Sequence, residues 1–424
     1  MYSQDGALEL HRPLIDRMAL GRPDRPCTLA AFLILNVMDG MRHPEFDPVG
    51  LELRLNAVYH TLASVPERDP QVPYIVRLAE GLRKAIKKRT AHLAVPALLN
   101  YADWLAVDSR FEEGLSVLDT GRFATEGHHA ESDTKLQRRR GYVLRHIGRL
   151  NAAATAYRDG MNTAANAGNE YLEVRCKNGL ALVLMHQGRV REAIHLLQAI
   201  KKVAENKGLR RAQACASHDL AIALSSYEKT ALKSLADAYH LYDDQSSKSR
   251  AISDLCRFLV AAGHFEEARR CSDLMVLQKE GSAFRATALG TELWLAGQAQ
   301  DRAAFERARK EAEMMDDTMA TKSRVDVRLR IGQGYLFFGD LTKARQYLNF
   351  ANELLDAQEG DMSSAAVKEA TDVLNGNRSL DLIQIRPRRL SASRVSSLDS
   401  SGGLAAMLHD AIGIVGDFRL QQPV

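Results

Sequence analysis

A small residue, a bulky one three places on and a turn glycine four places further recur down most of this chain. The copies are Gly141/Leu144/Gly148, Ala181/Leu184/Gly188, Cys256/Leu259/Gly263, Gly290/Leu293/Gly297 and Gly332/Tyr335/Gly339, with Ala102/Leu105/Ser109 as a serine version and Ala221/Leu224 as a weaker one. They follow one another at roughly 38 residues, which suits a helix hairpin with two short turns. After the turn an apolar residue is followed three places later by a small one: Phe111/Gly114, Leu150/Ala153, Val190/Ala193, Phe265/Ala268 and Leu341/Ala344. At helical pitch the small side chains let partner helices approach to about 8–10 Å between axes. The pattern specifies stacked two-helix units, each burying its apolar face only against its neighbours. Two copies depart from it: the unit at Ala221 has a shortened turn around Tyr227 to Ala231, and the unit at Gly290 slips by one residue before Ala303.

Charge and cysteine content bound the function classes. With 57 basic against 53 acidic residues the net charge is only +4, so no global field marks a nucleic-acid binder. The 5 cysteines are scattered without a C-x-x-C pair, which points to a reduced compartment. Residues 1–20 carry acids, arginines and a proline where a secretory signal needs an unbroken apolar core. The longest apolar run nearby, residues 29–38, is interrupted by Asn36 and too short to span a bilayer. The expectation is a cytoplasmic protein with no membrane association.

Along the chain, residues 1–45 read as a lead-in with a short helix, Thr28 capping a helix that runs to Asp39. Asp47-Pro48 opens the next helix, with Leu51, Leu55, Val58, Tyr59 and Leu62 on one face, and a third runs from Val72 to Arg89. Residues 46–89 thus form a degenerate capping hairpin. Hairpin repeats occupy 90–357 and a capping helix 358–376, with its helical core at 363–374. Residues 377–424 form a Ser/Arg-rich, flexible tail with a short apolar segment at 404–418.

The repeated residues resemble the tetratricopeptide repeat in its long-helix bacterial variant, over about residues 50–375. The resemblance implies an all-α fold, a right-handed α-α superhelix of about seven to eight helical hairpins. It also implies a concave groove lined by first-helix side chains at fixed offsets from the small anchor. Carried onto this sequence, those offsets give Lys135, Arg138, Tyr142 and Arg145; Arg175, Asn178, Leu182 and Met185; and Arg250, Ser253, Arg257 and Val260. A basic groove with aromatic and apolar interleaving suits an acidic peptide, since arginine makes bidentate, charge-assisted hydrogen bonds to carboxylates. The alternative is solvated helix charge, paired in part with Glu170, Glu173 or Asp254.

No catalytic signature stands out. Gly332-x-Gly334 follows no strand, so it reads as helix packing rather than a nucleotide loop. His128 and His129 lack metal-ligand spacing, and Cys256 occupies a small packing position. Met314, Met315 and Met319 read as core or loop lining. The two helices flanking residues 40–48 are too far apart for a helix-turn-helix. Arg386, Arg388, Arg389 and Arg394 in the tail have no aromatic residue among them to stack a base. The expected function is that of a non-enzymatic interaction scaffold, without cofactor or metal, that holds a peptide or helix of a protein partner. Self-association is compatible with this and nucleic acid is not expected. The alternative is a ligand-sensing transcriptional or signalling regulator acting through the repeats.

Overall fold

The computed structural model describes residues 10–20, 25–42, 46–65, 69–108, 110–125, 129–224, 228–263, 265–277, 282–316, 319, 321–356 and 363–380. Ser109, His128, residues 225–227, where the sequence suggests a shortened turn, and residues from 381 on, with their arginines and the segment 404–418, lie outside them. Every regular element among the described residues is helical, as the repeat requires. The chain divides into two units, residues 1–187 and 188–424.

The first unit holds α1 (Arg12–Ala19), α2 (Arg25–Gly40), α3 (Pro48–Leu62), α4 (Val72–Lys88), a 3-10 turn (Ala91–Ala94), α5 (Val95–Val107), α6 (Phe111–Thr125), α7 (Ala130–His146), α8 (Leu150–Asn166) and α9 (Glu170–His186). The second holds α10 (Val190–Asn206), α11 (Arg210–Ala223), α12 (Glu228–Leu241), α13 (Gln245–Ala262), α14 (Phe265–Leu277), α15 (Ser282–Gln298), α16 (Arg302–Met314), α17 (Thr321–Phe337), α18 (Leu341–Asp356) and α19 (Ser363–Leu374). Within each unit antiparallel neighbours pack pairwise, and first helices also meet the next first helix: α7 meets α5 and α9, while α15 meets α13 and α17.

Local chemistry sets the helix ends. Asp47 accepts from the backbone N–H groups of Val49 and Gly50, and Pro48 opens α3 as the sequence predicts. Thr28, however, caps nothing. The helix already begins at Arg25, because Pro26 fits a first turn that needs no N–H from it, and Thr28 is buried inside α2. Turn glycines Gly148, Gly188, Gly263 and Gly339 adopt positive φ, the left-handed end that only glycine takes without strain. Gly168 and Gly208 do the same after second helices. Gly148, Gly168, Gly188 and Gly208 therefore close successive helices at a constant step, a half-repeat within the hairpin period.

The unit at Gly290 corrects the pattern. Gly297 is not a turn residue: α15 continues through it, and Gln300 takes the left-handed conformation with φ 56°. A Cβ at Gly297 would meet Phe337 at 2.9 Å and the Gly334 backbone at 3.0 Å, so here glycine serves close packing. The longer helix carries the register on by a further residue, and Ala304 rather than Ala303 is buried. The other small anchors behave as expected: Ala102, Ala181, Ala221 and Cys256 are buried in first helices, and Ala153, Ala193, Ala268 and Ala344 in second helices. Burial also raises the Cys256 thiol pKa to about 11, making it an inert packing residue. Gly332 and Gly334 lie inside α17 against Leu348 and Phe305.

Candidate functional site

Helix α7 carries five of the chain's cations within eleven residues, and its neighbours sort them. Lys135 pairs with Glu131 one turn back. Arg139 reaches Asp103 on α5 at 2.6 Å, and Arg140 reaches Asp119 on α6 at 2.7 Å. Successive arginines point about 100° apart around a helix, so each of the run Arg138-Arg139-Arg140 meets different surroundings. Arg138 makes no hydrogen bond or ion pair among the described residues. Its pKa is pushed down to about 10, first by desolvation and then by the neighbouring Arg175 and Arg139.

Arg145 stands two helical turns from Arg138 on the same side of α7. It is 9% exposed, and its Nη1 lies 2.8 Å from Nε2 of His186, which must therefore accept and be neutral. Desolvation and the Arg145 charge both lower the His186 pKa, in keeping with that role. Arg145 Nε is a buried donor with no acceptor. Tyr142 lies between the guanidinium groups of Arg139 and Arg145, 5.1 and 5.6 Å from its centroid, and its ring meets His146. Neither Arg138 nor Arg145 has a carboxylate partner within ion-pair distance among the described residues.

The α9 residues expected to share this face divide. Arg175 and Met185 are half-buried, and Arg175 is close enough to act on Arg138. Asn178 is buried. Of the carboxylates weighed as alternative partners, Glu173 holds Lys177 at 2.6 Å. His129 caps α7 by accepting from the Ser132 backbone N–H, and its ring stacks on His92 at 4.0 Å.

Arg250 and Arg257 lie in the second unit and meet different conditions. Arg250 is exposed and donates to Ser247 at 3.2 Å. Arg257 is ion-paired with Asp254, which also accepts from Nε2–H of His218 at 2.6 Å. The Tyr242 hydroxyl in turn lies 3.1 Å from His218 Nδ1, so the neutral ring is satisfied at both nitrogens. Burial, with Arg250 and Arg257 nearby, pushes the His218 pKa down to about 4, against an opposing pull from Asp219. Arg257 keeps 67% of its side chain exposed yet still bears a desolvation cost that lowers its pKa, as does Arg330 on α17, with Asp326 opposing the shift in both.

Sequence reasoning missed Tyr157 on α8, 3% exposed, which sits against Gly141 of α7 and Gly179 of α9. The available signal was a glycine in the middle of each of two neighbouring first helices, where helix propensity alone disfavours it. Met314, read as core or loop lining, is instead largely exposed, while Met319 is buried. Among the described residues no group of acidic, histidine or cysteine side chains could hold a metal ion, and no helix is long and apolar enough to cross a membrane.

No protein-family model matches the chain, and a search of curated proteins finds no significant relative. Among solved structures it is similar to the Rap conjugation gene regulator of the plasmid pLS20 in complex with the Phr* peptide. The identity is 11%, over 82% of this chain and 98% of that one, with a TM-score of 0.50. A Rap protein complexed with competence and sporulation factor is 10% identical over 81% of this chain and 99% of that one, with a TM-score of 0.47. BtubC (BKLC) from P. vanneervenii is 18% identical over 48% of this chain and 86% of that one, with a TM-score of 0.37. At such identities the first likeness speaks to fold alone, and the fold it supports is the all-α, tetratricopeptide-like helical repeat.

Proposed function

We propose that this protein is an interaction scaffold without catalytic chemistry, and that the α7–α9 face of its first unit holds an acidic peptide or helix of a protein partner. The observation that carries the reading is the sorting on α7, where three cations are neutralised within the unit and Arg138 and Arg145 are not. Asp103 acts on Arg138 only from beyond ion-pair distance, and holding two desolvated guanidinium groups without a hydrogen-bonded carboxylate is unfavourable, which a ligand carboxylate relieves with charge-assisted hydrogen bonds. Tyr142 and Met185 add a rigid aromatic and an adaptable apolar contact beside the charges. Lys135, Arg175 and Asn178 complete this face, while Arg250 and Arg257 belong to a separate and weaker candidate in the second unit. A cytoplasmic setting fits the free cysteines.

The test is fluorescence anisotropy with a labelled Asp/Glu-rich peptide library, comparing the native chain with the triple variant Arg138→Glu, Arg145→Glu, Arg175→Glu. Capture by the native chain and its loss in a variant with unchanged circular dichroism is the expected result. Undiminished capture by a folded variant removes this face from the function. A second reading, a regulator that senses a peptide through its repeats, draws on the pLS20 neighbour, itself a gene regulator seen with a peptide. A peptide-dependent change in the capture of a second protein would separate it from a passive scaffold.

A further inference from the structure

Tyr157 belongs to the second helix of its hairpin, yet its ring reaches between the first helices α7 and α9. A Cβ at Gly141 would lie 2.9 Å from Cδ2, Cε2 and Cζ on one ring edge. A Cβ at Gly179 would lie 2.5 Å from Cδ1 on the other edge and closer still to Cε1 and Cζ. Only glycine on both sides leaves the width of an aromatic ring. Because both glycines flank Cζ, the hydroxyl stands beyond them, toward the α7–α9 face. Gly141 is three residues after Arg138 and four before Arg145, so the hydroxyl comes up one helical turn from each arginine. Burial raises the phenol pKa, while the Arg145 and Arg138 charges, a hydrogen bond from Arg145 and the Arg139 charge pull it down.

We infer that Arg138, Arg145 and the Tyr157 hydroxyl form a subsite for one oxyanion, a carboxylate or a phosphate group, on the α7–α9 face. The two guanidinium groups flank the anion, and the phenol O–H donates to it from below. Arg145 Nε is already a buried donor in want of an acceptor, and its Nη1 is taken by His186. Arg175 strengthens the field, since it already presses on Arg138 and an anion relieves that repulsion. This inference rests on the proposed acidic ligand and sharpens it: recognition centres on a single anchoring group instead of diffuse charge.

The test is thermal unfolding of the full chain in sodium phosphate or sodium glutarate against sodium chloride at matched ionic strength. Saturable stabilisation by at least one ion is expected, and the ion with the lower half-saturation identifies the group as phosphate or carboxylate. Arg138→Gln should raise half-saturation at least tenfold and Tyr157→Phe about threefold, while Arg257→Gln in the other unit leaves it unchanged. Tyr157→Phe keeps the ring between the glycines, so its chloride baseline should match the native protein and isolate the hydroxyl. Stabilisation no greater than with chloride, or stabilisation undiminished in Arg138→Gln, overturns the subsite. Acidic-peptide capture without any ion effect sinks the subsite and leaves the proposed function standing. An ion effect lost in Arg138→Gln, with no acidic peptide ever captured, does the reverse.

Discussion

The arginines of α7 in the first unit and Arg257 of α13 in the second start from the same sequence signal and end with different partners. In the second unit Arg257 leans on Asp254, which also serves His218, and Asp326 opposes part of the desolvation of Arg257 and Arg330. In the first unit Arg138 and Arg145 face Arg175, a neutral histidine and a phenol, and Asp103, which is ion-paired to Arg139, acts on Arg138 only at longer range. The difference teaches that a basic first-helix face is not by itself a binding surface. A cluster that supplies its own carboxylates has little left to offer a ligand, whereas one that does not must take its counter-charge from outside or bear the cost of desolvation.

The strongest way to break this contrast is charge reversal. Replacing Arg138, Arg145 and Arg175 by glutamate should weaken acidic-peptide capture on the order of 100-fold, about 3 kcal/mol, measured by anisotropy titration. Packing gives the next largest effect. A Cβ at Gly179 enters the Tyr157 ring, and one at Gly334 comes within 2.7 Å of Phe305 Cζ and closer to Cε2, so Gly179→Ala and Gly334→Ala should each cost about 2–3 kcal/mol in urea unfolding. Gly290→Ala is the control, because its Cβ would meet only Arg330 Cγ at 3.6 Å. It should be neutral or stabilising by up to about 1 kcal/mol. A large loss at Gly290 would show that the tight glycines are not special.

Acid sharpens the second unit's side of the comparison. His218 has a folded pKa of about 4, below the roughly 6.5 of an unfolded histidine. In that interval the unfolded chain binds the extra proton, so the contribution is complete above the unfolded value and lost as pH falls through the folded one. It amounts to about 3 kcal/mol, and His218→Gln should remove about one proton from the pH dependence of unfolding between pH 6.5 and 4.5. An unchanged slope would mean that His218 is protonated in the fold. The smallest effect is expected for Arg257→Gln, which should alter acidic-peptide capture by less than about twofold because Asp254 already holds that charge. A tenfold loss would place the ligand on the second unit as well.

How much of this was legible beforehand varies by element. The Asp47-Pro48 start of α3 and the span of α19 could be read directly, because capping and periodicity act over one or two turns. The Gly297 turn could not, since its assignment depends on Phe337 and Gly334 approaching from another helix. The candidate face was half legible. Anchor offsets reached Arg138, Tyr142, Arg145 and Arg175, which the structure brings together. They also reached Arg257, which the alternative of pairing with Asp254 describes better, and they passed over Tyr157, which comes from a second helix.

The sequence by itself determined the helical hairpins and, outside the unit at Gly290, the small-residue contacts and glycine turns described above, because those follow from side-chain volume and backbone freedom at fixed spacing. Only the tertiary structure decided which arginines gain an ion-pair partner. The carboxylates that neutralise Arg139 and Arg140 come from α5 and α6, 36 and 21 residues away. Coulomb interaction and desolvation depend on distance in space, and no periodicity along the chain encodes that.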